Sequence, residues 1–342
     1  MQSDLKEIAH MTRAAAPPLQ RQTQSPTSSK IIEIRVKGRW IPVPALIVDG
    51  NDLIARGKWL RVAVVRSEDM MEAELENPRL YIEKLRGDGK SLLKADLFTF
   101  TQKVPASQPK YSYPMERESV AGIRLASFKE WWEGLPQETR KNVRRAAKRG
   151  VVLAVKDQLD EELVQGIREV NDDSPVRQGM PNGYYGKTCE ETKKLYGEFD
   201  GRCTFICAYF ENRLIGFLHL IYRRDVASIL NLTTKPSQFD KRSANALVAK
   251  AVELCESKGI SYITYGLHRY GNKNDDPLRV FKIRNGFEEV LMPRYFVPVT
   301  AWGRLCVTAK LHRGLVGILP NWIIKIGLRA RARWVEFRSQ PV

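Results

Sequence analysis

The pattern of apolar and polar positions changes near residue 30 of the chain. Residues 1–29 are rich in Gln, Ser, Thr and Pro, a composition that indicates a disordered leader. From residue 31 to residue 66, short alternating apolar and polar runs are separated by glycine-containing turns, which is typical of antiparallel strands. With a further strand expected at KADLFTFTQ, we predict a β-rich N-terminal domain over residues 30–126.

Helical spacing begins at Ser127, where Glu130 follows three residues later in the pattern of a capping box. After Gly150 the chain gives a strand at VVLAV, two helices, and then three strands at CTFICAYF, LIGFLHLIY and VASILNLT. Glu211-Asn212-Arg213 joins the first two of these three strands as a hairpin. Up to residue 300, the predicted order of elements is β-α-α-β-β-β-α-β-α-β.

The rest of the chain is organised around residues 226–299. The strand VASILNLT is followed by a basic loop and a helix, for which Ser243 is the expected N-cap and Gly259 the residue after the C-cap. The strand ISYITYGL comes next, then a helix opened by Pro277 and closed by Gly286. A helix between two strands makes VASILNLT and ISYITYGL a parallel crossover pair in a mostly antiparallel sheet.

The join between VASILNLT and its helix predicts an anion site. A strand that feeds a basic loop and then a helix presents unpaired backbone N–H groups and the positive end of the helix dipole. A pyrophosphate of a cofactor is the commonest occupant of such a site. The alternative is a capped helix that binds nothing.

Composition and net charge indicate which kinds of partner the surface can bind, and the cysteines and histidines argue against a zinc site. The chain has 342 residues and a formal net charge of +17, so nucleic acid, anionic lipid and phosphorylated or acidic substrates all fit its surface. Five cysteines without CxxC spacing and four scattered histidines give no zinc pattern, and we predict no metal. Free thiols fit a reducing cytosol. Neither a signal peptide nor a membrane-spanning segment is expected.

The order of elements resembles the acyl-CoA-dependent N-acyltransferases of the GNAT superfamily over residues 127–300. The phrases LPQETRKNVRRAAKRGVV, KGISYITYGL and FKIRNGF are similar to the FemAB-like branch, which includes peptidoglycan-bridge aminoacyltransferases and envelope-related acetyltransferases. The resemblance implies an α/β (α+β) fold with a GNAT-like mixed, mostly antiparallel sheet flanked by helices. The N-terminal domain is an addition to it, as is a basic amphipathic C-terminal segment over residues 301–342.

The resemblance implies acetyl-CoA or another acyl-CoA as cosubstrate. GNAT enzymes place a glycine-containing loop under the pyrophosphate, whereas residues 239–246 here contain no glycine, so side-chain cations and free N–H groups must substitute for it. A lysine on the last helix follows the FemAB-like pattern, with a plain surface lysine as the alternative. The expected cofactor-binding residues are Leu232, Thr233, Lys241, Arg242, Ser243, Ala244, Asn245 and Lys282.

Three residues are candidates for the chemistry of acyl transfer. Asn231 is polar on an otherwise apolar strand, in the segment that supplies the oxyanion donor in the superfamily, and is either a site residue or a buried amide. His268 follows the strand ISYITYGL and has the ordinary pKa of a proton acceptor, although a loop histidine is more often structural. Tyr270 is a candidate acid for the leaving thiolate.

The loop SPVRQGMPNGYYGK joins the two helices that cover the acceptor side in GNAT enzymes. It has fourteen residues, three of them glycine, which is long for a simple connector and favours a binding loop. Arg177, Tyr184 and Tyr185 are expected to hold an anionic or sugar-like acceptor.

Two basic segments suggest macromolecular partners. Six of the ten residues from Arg140 to Arg149 are Lys or Arg, which is either a solvated helix face or a phosphate-contacting helix. Residues 301–342 contain eight Lys or Arg residues and one acid, interleaved with Leu, Ile and Trp. This segment either lies on an anionic membrane surface or packs as a helical hairpin on the N-terminal domain.

The leading hypothesis is a cytoplasmic acyl-CoA-dependent N-acyltransferase, an acetyltransferase, with a small-molecule or envelope-precursor acceptor. Through residues 301–342 the protein would also bind peripherally to the inner face of the membrane. The alternatives are a FemAB-type aminoacyltransferase that uses aminoacyl-tRNA, with residues 140–149 holding the tRNA backbone, and a non-catalytic basic protein that docks on membrane or nucleic acid.

Overall fold

The computed structural model describes residues 29–36, 39–66, 68, 74–87, 93–177, 180–199, 201–269 and 277–313. Residues 1–28 of the predicted leader, Tyr270 and the predicted C-terminal segment beyond residue 313 lie outside the described residues, whereas Ser29, the last residue of the predicted leader, begins a strand. The strands are β1 (Ser29–Val36), β2 (Arg39–Val48), β3 (Asn51–Arg56), β4 (Val62–Val65), β5 (Leu97–Thr101), β6 (Met115–Arg124), β7 (Val152–Lys156), β8 (Val176–Arg177), β9 (Met180–Pro181), β10 (Cys203–Phe210), β11 (Arg213–Arg223), β12 (Val226–Thr234), β13 (Tyr262–Leu267) and β14 (Glu288–Pro298). The helices are α1 (Pro78–Arg86), α2 (Phe128–Gly134), α3 (Gln137–Lys148), α4 (Glu161–Asp172), α5 (Cys189–Tyr196), α6 (Ser243–Ser257), α7 (Pro277–Arg284) and α8 (Ala301–Thr308).

Twelve of these strands form one sheet in the described part of the chain. Their order is β1-β2-β3-β4-β5-β14-β6-β13-β12-β11-β10-β7. The pairs are antiparallel except β4 with β5 and β12 with β13. The fold is therefore the mixed, mostly antiparallel sheet with flanking helices that the sequence predicts, and the parallel crossover through α6 is confirmed.

Helices cover both faces of the sheet around β11. On this strand, Leu218 and Leu220 pack into the core beneath α6, whereas Phe217 and Ile221 pack into the core beneath α4 and α5, because alternate side chains point to opposite faces. The α6 side also carries α2 and α3.

The N-terminal strands continue the same sheet instead of forming a separate one. β1 to β4 form an antiparallel meander, and β5 pairs with β14 along Leu97–Thr101. β6 pairs with both β13 and β14. The strands β5 and β6 lie within residues 30–126, the range predicted as the N-terminal domain, yet they pair with strands of residues 127–300. The domain boundaries themselves stay a prediction.

Two details of the sequence analysis need correction. The helix N-cap expected at Ser243 is Arg242, which has a left-handed backbone (φ 59°) and makes no side-chain capping bond. The strand β6 was missed, because its segment MERESVAGIR is rich in charged residues near its start. By contrast, Gly259 and Gly286 adopt the positive φ expected after helix ends.

No helix among the described residues is both long enough and apolar enough to cross a bilayer.

Candidate active site

The parallel strands β12 and β13 separate after three residue pairs. Val226, Ala227 and Ser228 pair with β13, and no later residue of β12 does. A bulge at Leu230 lies just beyond this point, between the pairs of Ile229 and Asn231 with β11. The side of Ile229–Thr234 that faces away from β11 is thus left without a strand partner in the described region, and its backbone groups are available to a ligand.

Lys282 of α7 occupies the β13 side of this separation. Its ammonium donates to the carbonyl oxygens of Tyr265 (2.6 Å) and Leu267 (2.7 Å) and lies 4.4 Å from the centroid of the Tyr265 ring. The side chain is fully buried. Lys282 therefore replaces part of the strand pairing that β13 lacks. It is buried with its ammonium bonded to protein carbonyls, so it is not the surface lysine of the alternative, and its contact with a ligand stays a prediction.

The N-terminus of α6 forms the anion end of the site. Arg242 gives this fifteen-residue helix no side-chain cap, so the first N–H groups, of Ser243, Ala244 and Asn245, remain available. The Asn245 side chain donates to Asn285 (3.0 Å) and holds the end of α7, so only its backbone serves a ligand. The predicted helix-end anion site is therefore compatible with a pyrophosphate despite its lack of glycine.

The preceding loop is fixed by three contacts. Ser237 donates its backbone N–H (2.9 Å) and hydroxyl (2.7 Å) to the carboxylate of Asp173. Lys241 lies 3.9 Å from the centroid of the Phe210 ring, and Arg149 donates to the carbonyl of Asp240. The basic helix α3 is thus joined to the loop, which places its last cations beside the anion end of α6.

The predicted acceptor loop lies against the same strand. Arg177 donates to Thr233 of β12 (3.1 Å) and to the carbonyl of Val170 (2.9 Å), and its buried Nε has no hydrogen-bond partner among the described residues. Burial lowers the pKa of its guanidinium, with nearby Tyr196 opposing this. Tyr184 is partly buried, whereas Tyr185 is exposed. Arg177 and Thr233 are therefore in contact, a pairing that the sequence did not predict.

A cavity of about 430 Å³ opens between this loop and the N-terminal strands. Leu230 and Asn231 of β12 form part of its wall, at the bulge where β12 leaves β13. Arginines dominate its charged lining. The charged and aromatic residues that line it are Arg35, Trp40, Arg56, Arg66, Glu68, Tyr184, Glu198, Phe199 and Arg294.

The N-terminal strands close the cavity through polar contacts with the α4–α5 region. Arg35 of β1 donates to the carbonyl of Gly183 (2.6 Å) and lies 4.7 Å from the Tyr184 ring centroid. Arg66 pairs with Glu198 at 2.9 Å. The side chain of Arg56, in contrast, lines the cavity with no hydrogen bond or ion pair to any other described residue, so its charge is available to a ligand.

Asn231 lies opposite His219 across the β11–β12 pair. His219 is fully buried and stacks on Phe205, with 4.2 Å between ring centroids. Burial lowers its pKa to about 3, with a smaller opposing effect from the Asn231 side chain. Asn231 therefore presents an amide to the cavity in front of a neutral imidazole.

His268 lies away from the cavity. It is buried, its backbone N–H donates to the carbonyl of Ser119 (2.8 Å), and its Nδ1 has no partner among the described residues. Burial lowers its pKa, while the nearby Glu289 carboxylate raises it. Glu289 itself is held by Ser119 (2.7 Å) and Arg269 (2.5 Å). A carboxylate that the sequence did not reveal thus lies near His268 without a hydrogen bond to it, on the far side of β13 from Asn231.

The structure brings together most of the predicted site residues in two groups. Asn231 and Tyr184 line the cavity, and Arg177 contacts Thr233 two residues further along β12, while Lys241, Arg242 and the start of α6 form the anion end. Leu232 instead packs into the α6-side core. The sequence analysis did not predict that arginines of the N-terminal strands line the cavity. Their only signal in the sequence is that charged residues occupy alternate positions of short strands.

Comparison with known proteins supports this reading of the fold. Residues 169–287 match the model of the acetyltransferase (GNAT) family. The crystal structure of FemX is similar with a TM-score of 0.54 at 10% identity, covering 82% of this chain and 90% of that one. No curated protein sequence matches the chain.

Two further solved structures are also similar. The C-terminal domain of a putative lysylphosphatidylglycerol synthetase from Agrobacterium fabrum gives a TM-score of 0.51 at 15% identity, covering 79% of this chain and 89% of that one. The structure of L-PGS from Bacillus licheniformis gives a TM-score of 0.50 at 14% identity, covering 80% of this chain and 86% of that one. Residues 169–287 therefore carry an N-acyltransferase domain of the acetyltransferase (GNAT) family, within a fold similar to that of FemX.

Proposed function

We propose that this protein transfers an acyl group from an acyl-CoA, with acetyl-CoA as the simplest donor, to an amine on an anionic acceptor. The observation that carries the proposal is the position of the split between β12 and β13. One end of the free β12 segment leads to the uncapped start of α6, and the other borders the arginine-lined cavity. A donor and an acceptor thus meet along one strand.

The donor end is suited to a pyrophosphate. The free N–H groups at the start of α6, the helix dipole and the cations Lys241 and Arg242 all act in the same direction. Bound acyl-CoA supplies an activated thioester. The unpaired backbone of Ile229–Thr234 then offers N–H groups to the oxygen on which negative charge develops.

The acceptor end is suited to an acid that also carries an amine. The exposed side chain of Arg56 makes no hydrogen bond or ion pair to the described residues and can bind carboxylate or phosphate oxygens. Arg177 positions the loop through its contacts with Thr233 and the carbonyl of Val170. Asn231 presents its amide to the cavity and orients the attacking nitrogen by accepting a hydrogen bond. The amine forms the new C–N bond as the C–S bond breaks, and its proton leaves with the thiolate or to solvent.

Calorimetry with acetyl-CoA tests the donor site. We expect the Lys241→Ala/Arg242→Ala chain to bind at least about tenfold more weakly than the wild type, because charge-assisted contacts each contribute roughly 1.5–3 kcal/mol. Lys250→Ala is the matched control, since it removes a cation two turns further along α6 and should leave Kd unchanged. An absence of binding at millimolar acetyl-CoA would contradict an acyl-CoA donor.

A second candidate donor, aminoacyl-tRNA, is favoured by one observation. The cations Lys141, Arg144 and Lys148 of α3 are exposed, and Arg149, which follows them, contacts the loop at the start of α6. If tRNA is the donor, binding should weaken steeply with salt, and Lys141→Ala/Lys148→Ala should reduce the slope of log K against log salt by about two. A chain that binds acetyl-CoA but shows no such slope rejects this candidate.

A further inference from the structure

An exposed aromatic and aliphatic patch lies on α8 and the β3–β4 turn. Trp59, Trp302 and Leu305 are 58%, 42% and 55% exposed. The indole N–H of Trp302 donates to the carbonyl of Trp59 (2.9 Å), and the two rings meet edge to face with 6.4 Å between centroids. These three side chains form the α8 patch, which the acyl-transfer site does not use.

The packing of α8 forces this patch outward. Cys306 and Gly303 face the sheet, where Cys306 is fully buried among Leu60 and Leu97. A Cβ on Gly303 would approach the carbonyl oxygen of Asp96 to 1.8 Å, so the helix cannot rotate to bury its other side. Residues three apart share one helix face, and Trp302 and Leu305 are therefore both held toward solvent.

The rim of the patch is entirely basic in the two segments that build it. Residues 56–61 and 301–313 contain six Lys or Arg residues and no Asp or Glu. Two carboxylates from other parts of the chain contact these segments, where Asp96 pairs with Arg61 and Glu116 with Arg313. The remaining four cations, Arg56, Lys58, Arg304 and Lys310, form no ion pair with any described residue. The sequence that follows Arg313 continues the same composition, with cations interleaved with Leu, Ile and Trp.

We propose that the α8 patch docks on an anionic lipid bilayer surface. Tryptophan prefers the boundary between water and hydrocarbon because its ring is apolar and its N–H polar. Lysine and arginine near a membrane each gain about 1 kcal/mol from anionic lipids. A partner protein would need acidic groups opposite this rim and a pocket for two indoles, whereas an anionic bilayer supplies both features everywhere. The proposal holds whichever donor the enzyme uses.

The patch also lies close to the acceptor cavity. Arg56 lines the cavity and begins the turn that carries Trp59, and α8 packs on Leu97 and Phe296 of the strands beside it. Docking through this patch would therefore hold the cavity near the headgroup layer, where an anionic acceptor anchored in lipid is within reach.

A fluorescent label at position 305 tests the contact directly. The full chain would carry Leu305→Cys labelled with an environment-sensitive dye, in a background where the exposed Cys189 is replaced by Ser. The other four cysteines are buried. With vesicles of phosphatidylglycerol and phosphatidylcholine we expect a blue shift, and with phosphatidylcholine alone a much smaller one. The same dye at the exposed Ile31 of β1 is the control and should not shift.

Binding of the unlabelled chain gives a second readout. Trp59→Ser/Trp302→Ser should partition onto the anionic vesicles at least about tenfold more weakly than the wild type, because two exposed indoles no longer leave water. Ile31→Ser should not change partitioning. Circular dichroism establishes that each variant keeps the fold.

Three results would overturn the proposal. One is vesicle binding without a shift at position 305, which would assign binding to another surface, including residues beyond 313. Another is a shift that grows with protein concentration in the absence of vesicles, since a second copy of the chain would then cover the patch. The third is the absence of any binding to anionic vesicles at low salt.

Discussion

At the scale of single residues, His219 is a polar side chain that lies in the water-excluded interior directly behind the site. Its imidazole is fully buried on β11, where it stacks on Phe205 of β10 and lies near the ring of Tyr196. Burial disfavours the charged imidazolium far more than the neighbouring Asn231 side chain favours it. The neutral form of His219 is therefore strongly preferred at the position that backs Asn231.

This burial predicts a specific pH dependence of stability. The pKa of His219 is about 3 in the folded chain and about 6.5 in an unfolded one. Between these values the unfolded state binds the extra proton, so stability is lost as pH falls from about 6.5 toward 3. In this range His219 contributes a slope of about 1.4 kcal/mol per pH unit.

Replacing His219 by Phe removes that slope. We expect the free energy of unfolding, measured with urea from pH 4 to pH 8, to fall less steeply below about pH 6 in His219→Phe than in the wild type. Above about pH 7.5 the two curves should run parallel, because the imidazole is neutral in both states. Equal slopes between pH 4 and pH 6 would show that His219 is accessible to protons in the folded chain.

Local sequence indicates candidate residues for the proposed donor end more readily than for the proposed acceptor end. The basic loop and the start of α6 are contiguous in sequence, so Lys241 and Arg242 were found from local pattern alone. Arg56 and Arg294 reach the cavity from strands separated by more than two hundred residues. A single sequence carries no signal for such a meeting, because nothing in the local pattern of a strand specifies its distant neighbours.

At the scale of elements, spacing predicted those that have a regular apolar period or a clear cap. The helix α4 begins after Asp160, whose side chain accepts from Leu163 N–H (2.7 Å), and the hairpin of β10 and β11 turns at Glu211 and Asn212. β6 was missed although it lies between β13 and β14. Its first residues are charged and half-exposed, so burial by neighbouring strands decided its structure, not propensity.

The link between β1 and the α4–α5 loop gives an element-scale prediction. Arg35 is the residue of β1 that holds Gly183 and Tyr184, so Arg35→Ala should free this loop. We expect amide hydrogen exchange in residues 182–187 to become faster than in the wild type, and a bound acceptor to slow this exchange less. The free energy of unfolding should fall by no more than about 1 kcal/mol, since the contact is exposed. Lys30→Ala, which breaks an ion pair to Asp52 on β3, is the control and should leave exchange in this loop unchanged. Unchanged exchange in Arg35→Ala would mean that the loop is held by its own contacts.

At the scale of the whole molecule, the continuity of the sheet is the feature that the sequence could least predict. Residues 30–126 and 127–300 differ in pattern, yet β5 and β6 are interleaved with β14. The core around Leu53 and Phe98 also includes Tyr295 and Val297 of β14. Cores are recognised from sequence as apolar positions, but which strands share one core depends on pairing between distant segments.

Shared cores predict that the described chain unfolds as one unit. We expect Leu53→Ala, in the N-terminal part, to lower the free energy of unfolding by about 2–5 kcal/mol, because Leu53 is fully buried. If the sheet is a single cooperative element, this loss must appear equally in β2 and in β11 when hydrogen exchange is followed through a urea titration. Leu218→Ala, fully buried on β11, should lower protection in β2 by the same reasoning.

Separate midpoints for the two regions, with each variant acting only on its own side, would instead support an independent N-terminal domain over residues 30–126. The cavity would then lie between two bodies able to move apart, and Arg35 and Arg66 would act as contacts that close it.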